Sequence, residues 1–129
     1  MYSFSTTLKT TMDDAEAKVR AALMTEGFGV LTEIDVQKVM KAKLDITRLG
    51  YKILGACNPE FAHKAIDADA DIGLLLPCNV LLREEANGSI TVGFMDPEAV
   101  LNLVGDNPVI NQVAPLVRER LVRVCKTLK

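Results

Sequence analysis

Tryptophan is absent and only six aromatic residues occur among 129, none of them interleaved with the arginines, so recognition of nucleic acid by base stacking has little to work with. An excess of one charge is lacking too. Fifteen basic residues against seventeen acidic ones leave a formal charge of -2, which marks no nucleic-acid binder. No apolar stretch approaches the roughly 20 residues a bilayer crossing needs, and Met1 to Thr10 has no basic head followed by an apolar segment, so neither a membrane span nor a secretory leader is expected. Three cysteines cannot all pair, no Cys-x-x-Cys occurs and there is one histidine. A secreted disulfide framework and a metal-ligand signature are therefore not expected, and the thiols are expected to be reduced, as in a cytoplasmic protein.

What is present is a chain sized for one core, 1–129, at about 150 residues per domain, with roughly two-thirds of its surface buried on folding. Half the residues are apolar and a quarter charged, which excludes disorder. Tyr2 to Leu8 alternates with period two and predicts a strand. Thr11 with Asp14 predicts a helix start, the one-face spacing of Ala15, Val19, Ala22 and Leu23 carries it to about Glu26, and Gly27 suits a left-handed stop. Gly29 to Ile34 predicts a second strand. Asp35 caps a helix whose Val36, Val39, Met40 and Leu44 share a face, and Tyr51 to Ala56 predicts a third strand.

Asn58 followed by Pro59 is a sharp helix-start signal, because proline's missing donor costs nothing at the first helical position. Phe61, Ala62, Ala65 and Ile66 form that helix's expected inner face. Ile72 to Arg83 is almost continuously apolar and predicts a strand buried on both faces, interrupted at Pro77. Asn87-Gly88 predicts a tight hairpin turn, with Ile90 to Met95 returning antiparallel. A short helix is expected over 97–103, ending at Gly105. A last helix is expected from Pro108 or Asn111 to Leu128, with Val113, Val117, Leu121, Val124 and Leu128 as its seam and Pro115 in its first turn or at a kink. The β-α-β-α-β-α-β-β-α order, with one tight antiparallel pair, predicts an α+β fold with helices packed on a mainly antiparallel sheet.

Two segments stand out, Leu54 to Pro59 and Leu76 to Val80, each placing a thiol beside an amide and a proline. If Cys57 closes a strand at a helix N-terminus, the amides there favour thiolate and make it a nucleophile or ligand candidate; otherwise it is a small buried hydrophobe. Asn79, an amide within an apolar strand, must find partners, either bracketing a neighbouring loop or contacting a ligand. Cys125 falls beside the last helix's seam as a core thiol. His63 is either a base facing the thiols or a surface residue paired with Glu60. Charge is polarised: eight carboxylates between Glu60 and Glu98 face only Lys64 and Arg83, whereas residues 109–129 are net basic.

At Leu54 to Pro59, Ala62, Gly73 to Val80 and the Gly27 to Val36 segment, the sequence resembles the bacterial and archaeal family called domain of unknown function 302. The resemblance implies an α+β fold similar to the TATA-box-binding-protein-like class, a small dimer, and no established activity. With the residue reading, it leads to an expectation of a cytoplasmic, homodimeric module that binds a small molecule in a pocket lined by Cys57, Asn58, Cys78 and Asn79, with His63 as a further candidate. No metal and no particular cofactor are expected, nor a nucleic-acid or membrane partner. The rivals are a thiol-dependent or redox enzyme using Cys57, and an interaction protein without a ligand.

Overall fold

Thr11 accepts the amide of Asp14 and opens a helix, which closes at Gly27 in the left-handed region (φ 82°). There Phe28 N donates to Leu23 O at 3.0 Å and Gly27 N to Met24 O at 3.1 Å, a Schellman ending. Local signals of this kind build the whole chain, whose computed structural model describes residues 1–129. The strands are β1 (Ser3–Leu8), β2 (Gly29–Asp35), β3 (Tyr51–Cys57), β4 (Cys78–Glu84) and β5 (Ile90–Met95). The helices are α1 (Met12–Thr25), α2 (Val36–Leu44), α3 (Pro59–Ala68), α4 (Pro97–Leu101) and α5 (Pro108–Thr127), with short 3-10 turns at Ile72–Leu75 and Asn102–Val104.

The five strands form one antiparallel sheet in the order β1-β5-β4-β3-β2, so the expected α+β fold is found, with β1 and β2 at its free edges. Helices α1 and α5 lie on one face. Val19 and Leu23 from α1, Val117, Leu121 and Val124 from α5, and Leu54, Val80, Leu82, Val92 and Phe94 from the strands make the main core. A smaller cluster of Ala65, Ile72, Leu101, Ile110 and Ala114 sits apart from it. Burying these two sets supplies the main driving force for the fold.

Three local expectations are corrected. The apolar run 72–83 is not one strand buried on both faces: Ile72–Leu75 is a 3-10 turn, the Leu76–Pro77 bond is cis, and β4 alternates buried and exposed residues. Its second face has no helix layer over it. Helix α2, which links edge strand β2 to β3 and is met by no other helix of the core, buries none of its residues, and Val39 and Leu44 are exposed. Ile66, expected on the inner face of α3, is exposed. Helix α5 starts at Pro108, the earlier of the two expected positions, and this places Pro115 past its first turn.

Candidate functional site

The two hydrophobic clusters do not merge, and the space between them is a cavity of about 340 Å³. Each wall follows from a local sequence feature. The Schellman turn at Gly27 aims Phe28 inward. A Cβ there would crowd Asn58 Nδ2 at 3.0 Å and Arg120 Nη1 at 3.3 Å, but it is the φ of 82° that calls for glycine. A bulge in β2 between Val30 and Thr32 frees Leu31 from the pairing with β3 and leaves it 67% exposed at the cavity's mouth. Helix α3 supplies Phe61, Ala62, Ala65 and Ile66; Val113 and Val117 of α5 form the far wall.

The Leu76-Pro77-Cys78 segment closes the remaining side, next to the end of β3. Ala56 pairs with Cys78 in the β3–β4 register, so Cys57 and Cys78 arrive at the same corner from different strands. Above that corner, a Cβ on Gly55 would collide with Thr32 Oγ1 and lie 2.7 Å from Pro77 Cγ. Glycine here permits a close approach of the two covering side chains.

Of the two polar side chains in the wall, Asn58 and Thr32, Asn58 ties the neighbouring elements together. Its Oδ1 accepts from Phe61 N and its Nδ2 donates to Glu26 O, both at 3.5 Å, tying the start of α3 to the end of α1. Arg120 Nη1 donates to the same carbonyl at 3.2 Å, and its guanidinium lies 5.0 Å from the centre of the Phe61 ring. The bracketing expected of an asparagine is thus performed by Asn58 and not by Asn79. Asn79 is exposed on the uncovered face of the sheet, opposite Gly55, and is no part of the cavity wall.

Both thiols are less acidic than a free cysteine. Burial raises Cys57, against the expectation that the N-terminus of α3 would lower it. Loss of water is the one cause; of the amides at that helix start, the Phe61 N–H is taken by Asn58 and Pro59 has none. Cys78 is pushed up to about 12, chiefly by burial and further by the proximity of Cys57. Neither sulfur is a thiolate at neutral pH. His63 faces solvent, its Nε2 3.5 Å from Asp67 Oδ2, and it neither lines the cavity nor pairs with Glu60. No group of three or more metal-ligating side chains assembles.

Three of the five singled-out residues, Cys57, Asn58 and Cys78, therefore meet in one wall. Most of the remaining lining is hydrocarbon whose periodicity reads simply as core, and the Leu31 bulge has no signature in the sequence. A second hollow, at the β4–β5 turn, is lined only by residues such as Lys9, Thr10, Asn87 and Ser89 and has no apolar wall to hold a ligand.

Comparison with known proteins gives one family and one fold. The family model described as "Domain of unknown function DUF302" matches residues 4–128. A crystal structure of an uncharacterized conserved protein DUF302 from Bacillus stearothermophilus superposes with a TM-score of 0.91 at 25% identity, covering 100% of this chain and 99% of that one. No curated protein matches.

Proposed function

The chain belongs to the family Domain of unknown function DUF302, and we propose that it serves as a homodimeric small-molecule-binding module whose ligand occupies the cavity beside Cys57, Asn58 and Cys78. The observation that carries this reading is the preformed cavity itself. Its volume of about 340 Å³ falls within the range of small-molecule sites, roughly 300–1,000 Å³, and an apolar wall with a single amide is the usual composition of such sites.

Binding is favoured over thiol chemistry by the state of the sulfurs. Raised thiols supply no nucleophile at neutral pH, and His63 is turned outward where it cannot act as their base. A cytoplasmic setting is supported by three free cysteines. No helix is long and apolar enough to cross a membrane. The dimer is supported by the stretch from Ile34 to Leu49, where Ile34, Leu44, Ile46 and Leu49 are all exposed. Such a concentration of exposed hydrocarbon marks an interface.

Two measurements test the proposal. Ala62→Phe projects a ring into the cavity; ligands that raise the melting temperature of the native chain should leave this variant unmoved, and an equal response from both would place binding elsewhere. Sedimentation should report twice the 14.1 kDa chain mass, and Leu44→Glu with Leu49→Glu should return it to monomer.

A further inference from the structure

Resting on that reading of the cavity, we infer that its ligand is an uncharged, mostly hydrocarbon molecule of about a dozen non-hydrogen atoms with one hydrogen-bonding group. Size comes from volume. An apolar cavity of about 150 Å³ holds benzene, with six carbons, so a cavity of a little over twice that volume holds about 12 to 14 non-hydrogen atoms. A fused bicyclic molecule or a chain of about ten carbons satisfies this.

Charge is excluded by what the wall contains. None of its seventeen residues bears an ionisable group other than the two thiols, and burial holds those neutral. Arg120 lies over the Phe61 ring with its Nη1 directed to the Glu26 carbonyl, and it is not part of the lining. A carboxylate or ammonium entering this space would lose its water and find no counter-charge.

Charge beside the lining discriminates further. Ile66 and Gly73 contribute to the lining from either side of a segment that carries Asp67, Asp69 and Asp71 and no cation. The field of these carboxylates opposes an anion approaching the cavity along that side.

One polar group on the ligand is accommodated. Asn58 is buried, yet each end of its amide makes one long bond, leaving Nδ2 a second proton and Oδ1 a second lone pair. A ligand hydroxyl or carbonyl reaching that corner has Asn58 as its partner, while the chain or rings extend along Phe28, Phe61 and Val117.

Calorimetric titration of the full chain with 1-decanol, decanoate and decylamine at pH 7 separates the possibilities, because the three probes share one tail and differ in charge. We expect 1-decanol to bind at least 10-fold more tightly than either charged probe and Ala62→Phe to abolish its binding. The double variant Asp67→Asn with Asp71→Asn should narrow the gap between decanol and decanoate several-fold. Decanoate or decylamine binding as tightly as decanol, in an Ala62→Phe-sensitive manner, would overturn the inferred ligand class and leave the binding reading standing. No binding by alcohols of six to fourteen carbons, or binding that Ala62→Phe does not affect, would overturn both.

Discussion

Removing the sulfur of Cys78 should destabilise the protein at neutral pH and stabilise it in alkali. Cys78 is 8% exposed, and burial moves its thiol from an ordinary 9.0 to about 12. The unfolded chain therefore releases this proton between pH 9 and 12 while the folded chain keeps it. Stability falls as pH rises wherever the folded state holds more protons, at 1.36 kcal/mol per pH unit for one group. By pH 11 this amounts to about 2.7 kcal/mol relative to neutral pH, and below pH 8 the contribution is negligible. Cys78→Ala loses the packing of one sulfur atom beside the cavity, a cost of about 1 kcal/mol at pH 7. The stability curves of native chain and variant should then cross near pH 10. Urea unfolding under reducing conditions at pH 7, 9, 10 and 11 measures both. Other groups titrate in this range, including Lys52, whose pairing with Glu16 and Glu33 holds its proton to higher pH, but they are common to both proteins and, Cys57 apart, cancel in the difference. If the difference between the two proteins were constant from pH 7 to 11, the thiol would lie in water and the dry-walled cavity would be wrong.

Gly55→Ala drives a methyl group into Thr32 and Pro77 and should cost about 1–3 kcal/mol in urea unfolding; an unchanged midpoint would mean those two side chains do not close over β3. Asn58→Ala removes both the cap of α3 and the tie to Glu26, so a loss of about 0.5–2 kcal/mol is expected, together with weaker decanol binding. Lys52→Met leaves Glu16 and Glu33, which it meets at 2.6 and 2.9 Å, to Arg20 alone, and should lower stability by about 1–2 kcal/mol at pH 7 and by less in strong acid, once Glu16 is protonated. His63→Ala should change neither the melting temperature nor decanol affinity, since its pairing with Asp67 is exposed.

Much of this protein is decided by neighbours in the chain. Thr11, Asp35 and Asn58 place their helix starts through single side-chain bonds, Gly27 ends α1 because it alone tolerates that backbone angle at little cost, and Asn87-Gly88 turns β4 into β5. Periodicity likewise selects the α1 and α5 faces that cover the sheet. Periodicity reports whether a residue is apolar but not what it meets, and the remaining features depend on that. Phe28, Phe61, Val113 and Val117 have the pattern of solid core, yet they face a void, because the α3–α4–α5 cluster packs on itself and stands apart from the sheet's own core. Asn79 and Cys78 are adjacent in sequence, and the pleat sends one to water and the other to the cavity once a single face of the sheet is covered. Helix α2 is patterned for burial with no surface of its own chain to receive it. Bonds between near residues wrote the elements; long-range packing, which alone determines where two apolar surfaces touch and where they leave a gap, made the site.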